Sequence, residues 1–223
     1  MASVTKPGPK PAATKSPFRT AGEVLKQLGG IPADRVRVFP VPGTATEIDL
    51  IKANDRKEGI CELIDGTLIE KTADCRDSAL TVALIAFLGT FIRENKLGRA
   101  FGPNGPSRLS PSQVRCPDVW FVTAARLRQC RDRKAEILEI APDLAVEILN
   151  KSNSHGEMQR KLRDYFAAGT RLVWYVDPKK RTVRVYTDPD KATTLTEDQT
   201  LDGGDVLPGF SLCLRELFAE LDD

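Results

Sequence analysis

Two carboxylates occur where a chain normally keeps apolar side chains. Glu147 interrupts the run Leu144-Ala145-Val146-Glu147-Ile148-Leu149, and Asp118 opens Asp118-Val119-Trp120-Phe121-Val122. A buried, unpaired charge costs on the order of several kcal/mol, and two carboxylates on adjacent strands also repel each other. A divalent cation removes both penalties and creates a centre that can polarise a phosphate or a water. The structural alternative is that Glu147 pairs with an arginine, or faces solvent from an edge strand.

A lysine follows at a useful spacing. On a helix starting near Ser154, the apolar stripe is Met158, Leu162, Tyr165 and Phe166. Lys161 lies on its flank, one turn from Glu157, and can reach toward the preceding strand. Beside a metal site it could orient water and stabilise charge on phosphate. The structural alternative is a surface Glu157–Lys161 pair worth roughly a few tenths of a kcal/mol.

Other ligand chemistries are poorly supplied. His155 is the single histidine, and the five cysteines are scattered with no CxxC. That argues against a zinc knuckle and against a disulfide framework, and makes a reducing cytoplasm the simplest setting. Any metal here relies on oxygen ligands, which points to Mg²⁺ or Mn²⁺.

These side chains need a scaffold, and the patterning predicts one. Thr20 can cap a short helix that Gly29-Gly30 stops, Arg35 to Phe39 alternates like a strand, and a helix lies within Thr46 to Asn54. Ile60 to Glu70 is two apolar runs around Asp65-Gly66, a hairpin signal. The longest helix spans Arg76 to Asn95, and a turn-rich stretch, GPNGPSRLSPSQ, follows it. Strands are expected after Pro117, at Leu144 to Leu149, at Arg171 to Pro178 and at TVRVYTD, with the Lys161 helix closed by Gly169 and a last short helix, LRELFAEL. AARLRQCRDRK reads as a basic loop or short helix. The mixture predicts an α/β or α+β fold around a mixed sheet flanked by helices.

Composition limits the rest. At 29% charged and 41% hydrophobic residues, the 223-residue chain reads as soluble and globular. No apolar run in the sequence approaches the roughly 18 residues of a membrane span; Ala79 to Ile92 reads better as a core helix. Residues 1–22 carry four basic side chains and no acid, leaving 29 basic against 31 acidic in the remainder. Residues 1–18 are expected to be a disordered basic tail, solubilising or in contact with nucleic-acid phosphates, and 19–223 a single domain.

PDVWFV, PDLAVEILNKS, Lys161, DYFAAGTRLVWYVDP and VRVY, in that order, resemble the Uma-two family of PD-(D/E)XK, restriction-endonuclease-like nucleases. CELIDGTLIEK resembles the family's early Glu-x-x-Asp-Gly segment, and the likeness spans about Thr46 to Phe218. It implies a restriction-endonuclease-like core. It also implies that Asp118 is the acid of the PD motif, Glu147 that of the (D/E)XK motif, and Lys161 a lysine moved to the following helix, since the motif's third position is Leu149. Glu62 matches an early acid that often joins the metal site, and the backbone carbonyl of Ile148 could add a ligand. Asp65 and Gly66 match a turn, and Tyr165, Trp174 and Tyr175 read as core. The sequence departs from the family at Asn150-Lys151-Ser152, where Ser-Pro-Ser is usual, at Gly156, near which arginine is common, and at Glu157, where aspartate is common.

The resulting expectation is a metal-dependent endonuclease hydrolysing DNA phosphodiester bonds. The alternative is a non-catalytic nucleic-acid-binding or scaffold protein that keeps the fold. The mildly acidic remainder favours the alternative; the basic runs at Arg126 to Lys134 and Arg160 to Arg163 favour the nuclease. A two-carboxylate glycosidase is disfavoured by 6% aromatic residues, and nothing near His155 supports a Cys–His hydrolase. No membrane partner is expected. The oligomeric state is open, a homodimer included.

Overall fold

The computed structural model describes residues 15–56 and 59–222. In chain order the helices are α1 (Ala21–Gln27), α2 (Glu47–Asp55), α3 (Cys75–Glu94), α4 (Ala124–Gln129), α5 (His155–Ala167) and α6 (Leu214–Ala219). The strands are β1 (Cys61–Ile64), β2 (Thr67–Glu70), β3 (Gly98–Phe101), β4 (Ser107–Ser110), β5 (Gln113–Arg115), β6 (Val119–Thr123), β7 (Leu144–Ile148), β8 (Leu172–Asp177), β9 (Thr182–Asp188), β10 (Lys191–Thr196), β11 (Thr200–Gly203) and β12 (Leu207–Cys213). A six-stranded sheet, ordered β10-β9-β8-β7-β6-β3, is antiparallel except for the parallel pair β7 and β8. A four-stranded antiparallel sheet, β2-β1-β5-β4, and the β11-β12 pair complete the architecture.

Local chemistry explains most boundaries. Asp65 and Gly66 both have positive φ (47° and 69°), so β1 and β2 close through the two-residue left-handed turn that matches strand twist. Asp74 and Ser154 begin α3 and α5 with capping boxes to Asp77 and Glu157. Gly169, at φ 93°, follows α5 as a left-handed residue. Alternation then divides β7 between two cores. Leu144, Val146 and Ile148 pack with Leu80, Leu84, Leu88 and Ile92 of α3. Ala145 packs on the other side with Met158, Leu162 and Tyr165 of α5.

Several expectations fail. Arg35 to Phe39 is no strand: Ala33–Arg35 is a 3-10 turn, and only Val36 bridges to Ile69. The charge on Arg35 is used in a buried ion pair, which overrides the apparent alternation. The stretch read as turn-rich contains β4 and ends on the first residue of β5, and the pairing of these two strands shifts register between Arg108 and Ser110. β10 is too polar, and β11 and β12 are too interrupted by Gly, Asp and Pro, to read as strands from sequence. α3 is long and apolar enough to cross a membrane by length and composition, yet its leucine stripe packs on the six-stranded sheet. Most of the expected tail lies outside the described residues. The Ser16 hydroxyl donates to the Pro42 carbonyl at 2.7 Å and Phe18 packs beside Val24 and Leu28, so packed structure begins before residue 19.

Candidate active site

Glu147 faces the α5 side of the sheet because it alternates with Val146 and Ile148. Its strand lies between β6 and β8, which removes the edge-strand alternative. The side chain is 4% exposed. Its Oε1 accepts the Tyr165 hydroxyl at 2.5 Å and lies 2.8 Å from Lys161 Nζ. The arginine alternative also fails, because the cation at Glu147 is a lysine. Burial pushes the Glu147 carboxyl above the usual carboxylate range; Lys161 and Lys71 oppose the rise, while Asp118 and Glu62 add to it.

Lys161 is itself buried, and its Nζ also lies 3.2 Å from Glu62 Oε1. A surface Glu157–Lys161 pair is therefore absent. Glu157 instead makes a two-pronged bond to Arg35, at 2.9 Å to each carboxylate oxygen. Glu62 is 2% exposed, and both its oxygens are engaged within the protein. Oε1 accepts the Cys116 N–H at 3.0 Å, and Oε2 accepts Arg115 at 2.9 Å. Burial alone would raise its pKa, but Lys161, Arg115 and Lys71 outweigh that and hold the carboxyl well below the ordinary range. Glu62 and Glu147 share Lys161 yet move in opposite directions. Glu62 has a second cation in Arg115 and a backbone donor, whereas Glu147 has two carboxylate neighbours.

Asp118 immediately precedes β6, which runs antiparallel to β7, so it stands beside the end of β7 that carries Glu147. Its Oδ2 accepts the Ile148 N–H at 2.7 Å, and its Oδ1 lies 2.8 Å from Lys71 Nζ. Lys71 also donates to the Cys116 carbonyl. Burial would lower the Lys71 pKa, but Asp118, Glu147 and Glu62 outweigh it and keep the ammonium charged. Burial and the Glu62 charge push the Cys116 thiol up to about 12, which keeps it neutral.

Asp118, Glu147, Ile148, Lys71 and Lys161 line one cavity of about 20 Å³, room for a single water-sized species. Glu62 does not line it; it sits behind Lys161. Among the described residues, no three His, Cys, Asp or Glu side chains are arranged to hold one ion. The basic runs read from sequence do not border the cavity as free charges. Arg126 pairs with Asp143, and Arg160 pairs with Asp65.

The Uma2 family model, described as "Putative restriction endonuclease", matches residues 47–215. The chain belongs to the Uma2 family. Its fold is that of a solved structure titled a "putative nuclease belonging to DUF820" from Anabaena variabilis ATCC 29413. The TM-score is 0.66 at 23% identity, covering 74% of this chain and 92% of that one. No curated protein matches the sequence.

Within this Uma2 chain the three departures from the family pattern have structural uses. Asn150 Nδ2 donates to the Thr72 carbonyl and to Asp77, each at 3.0 Å, tying the exit of β7 to the start of α3. A Cβ at Gly156 would come 2.4 Å from the Gly29 carbonyl oxygen, so no arginine fits at that position. Glu157 supplies the reach that its paired bond to Arg35 uses. Two residues of the cluster were not legible as such. Lys71 follows a strand with the look of a solvated hairpin end, and Arg115 falls between the turn-rich stretch and the strand expected after Pro117. Tyr165 reads as core and is core, but its hydroxyl also serves Glu147. Its place on the α5 stripe one turn after Lys161 was the available signal.

Proposed function

We propose that this protein is a metal-dependent phosphodiesterase acting on DNA, with Asp118 and Glu147 as ligands of Mg²⁺ or Mn²⁺. The carrying observation is that both carboxylates and Lys161 line a single cavity between the ends of two central strands. Membership of a family described as "Putative restriction endonuclease" supports the same reading. The donor set fits a small hard cation, because magnesium is commonly held by one or two carboxylates, with waters and substrate phosphate oxygens filling the remaining positions. The Ile148 carbonyl would be a further oxygen ligand. Such an ion supplies positive charge and Lewis acidity at the scissile phosphate.

The chain's own residues do the remaining work. Lys161 places an ammonium at the cavity wall, where it stabilises negative charge developing on the phosphate and orients the attacking water. Glu62 fixes the Lys161 head group; with both oxygens already bonded, it is a positioning residue in this reading and not an ion ligand. Tyr165 holds the Glu147 carboxylate in place by donating to Oε1. Lys71 neutralises Asp118 and must leave Oδ1 before an ion takes it.

The test is cleavage of single- and double-stranded DNA with Mg²⁺ or Mn²⁺ by wild type, Asp118→Asn, Glu147→Gln and Lys161→Met. The three variants should lose activity, with metal binding retained only in Lys161→Met. Cleavage undiminished in Asp118→Asn and Glu147→Gln would refute the assignment. The second reading, a nucleic-acid-binding module without turnover, is favoured by one observation: both site carboxylates are already ion-paired to lysines. Wild type that binds metal and DNA but never cleaves would select it.

A further inference from the structure

The end of the sheet that carries the carboxylates opens onto a groove of about 630 Å³. The groove adjoins the site: Asn150 and Asn153 line both the groove and the carboxylate cavity. Topology explains its charge. β7 and β8 are parallel, so Lys151, which follows β7, and Lys179 and Lys180, which follow β8, emerge at the same end. Arg184 reaches the groove from β9, and Arg76 from the first turn of α3. Lys151, Lys179, Lys180 and Arg76 are exposed. Among the described residues, Arg76, Lys151, Lys179 and Arg184 have no carboxylate partner, and Lys180 has only a loose pairing with Asp177 at 3.6 Å.

Three aspartates also line the groove, but each is committed. Asp74 and Asp77 cap the N-terminus of α3, and Asp177 accepts the Lys180 N–H at 3.0 Å. The more densely basic segment of the sequence is elsewhere. α4 begins where β6 ends, and β6 starts at Asp118. At ~3.3 Å per strand residue, Arg126 to Lys134 therefore leave the sheet about 20 Å from the site.

We propose that this groove is the track for the phosphodiester backbone of the substrate, and that Lys151, Lys179, Lys180 and Arg184 hold the phosphates flanking the bond at the carboxylate cavity. The inference rests on the nuclease reading for what happens at the cavity, but binding in the groove is independent of turnover. Ammonium and guanidinium groups with no acid to release are the groups that exchange counterions for phosphates most readily. Their spread over two loops and a strand suits an extended polyanion.

The test is fluorescence anisotropy of short fluorescein-labelled duplex DNA, single-stranded DNA and single-stranded RNA, with full-length protein in metal-free buffer across a salt series. Wild type is compared with Lys179→Glu/Lys180→Glu, with Lys151→Glu, and with Arg131→Glu/Arg133→Glu on the far end. Circular dichroism melts confirm folding of these exposed-site variants. The groove variants should weaken binding roughly tenfold or more and flatten the salt slope by about one for each phosphate no longer held, while the far-end variant binds as wild type. The RNA arm distinguishes which polymer supplies the phosphates. Groove variants that bind as wild type, a far-end variant that weakens as much, or no binding by wild type at low salt would each overturn the inference. Metal-dependent cleavage with groove variants that still bind normally would leave the nuclease reading standing and sink the groove. Groove-dependent binding without cleavage would do the reverse.

Discussion

Replacing Lys71 with methionine removes a charge of the site while keeping most of its volume. Lys71 Nζ lies 2.8 Å from Asp118 Oδ1, and the two side chains are 12% and 16% exposed. At an effective dielectric of about 20, that separation gives ~6 kcal/mol of gross attraction, most of it offset by desolvation. Truncating one partner of a buried pair costs roughly 3–5 kcal/mol, and partial solvation of this pair places it near 3 kcal/mol. For a chain of this size, the metal-free variant should then melt about 6–12 °C below wild type. Metal binding should move the other way. In wild type an incoming ion must displace Lys71 from Asp118; in the variant nothing has to leave. If the loaded forms are otherwise alike, the stability lost by the free protein reappears as affinity, on the order of a hundredfold in Kd. Calorimetric titration with Mn²⁺ measures the affinity, and differential scanning calorimetry in EDTA measures the stability. Equal or weaker Mn²⁺ affinity in Lys71→Met, or an unchanged melt without metal, would refute the view that Lys71 occupies ground the ion needs.

Three further outcomes follow from the geometry. Tyr165→Phe deletes the 2.5 Å bond to Glu147 and should cost roughly 1.5–3 kcal/mol in urea denaturation; an unchanged midpoint would show that the hydroxyl is not holding the carboxylate. Stability in EDTA should carry two opposing pH components. Glu62, with a depressed pKa, contributes stability present above about pH 4.3 and lost as pH falls below it. Glu147, with a raised pKa, contributes stability complete below about pH 4.3 and lost as pH rises through its folded-state value. Glu147→Gln should therefore flatten the decline on the higher-pH side, and a decline that persists unchanged in Glu147→Gln counts against this assignment. Gly156→Ala should destabilise although alanine is the better helix former by ~1 kcal/mol, because the new Cβ would meet the Gly29 carbonyl at 2.4 Å; a raised melting temperature would show that the α1–α5 contact yields easily.

The elements whose pattern is local were legible without coordinates. The Asp65-Gly66 hairpin, the helix that starts near Ser154, and the strands at Val119 and Leu144 each follow from short-range sterics, hydrogen bonding or alternation. The same locality made Glu147 conspicuous, since a carboxylate in an apolar strand stands out in a single line of sequence. The polar strand β10 and the Gly- and Pro-interrupted β11 and β12 were not legible, because their extended form is set by pairing with neighbours more than by an unbroken apolar alternation.

What held Glu147 was decided only in three dimensions. The partners come from four separate stretches of the chain: Glu62 and Lys71 from the hairpin, Arg115 and Asp118 around the entry to β6, Glu147 on β7, and Lys161 with Tyr165 on α5. Sequence could nominate acids and a lysine, but it could not say that Glu62 spends both oxygens inside the protein, that Lys71 sits on Asp118, or that Glu157 belongs to Arg35. Those outcomes depend on which cation the packed elements bring nearest to which carboxylate. Electrostatic energy falls with distance through space and takes no account of distance along the chain. The same reason explains the basic segments. Arg126 to Lys134 is the conspicuous run in the sequence, yet the parallel β7–β8 pair brings dispersed lysines to the carboxylate end and leaves that run at the other.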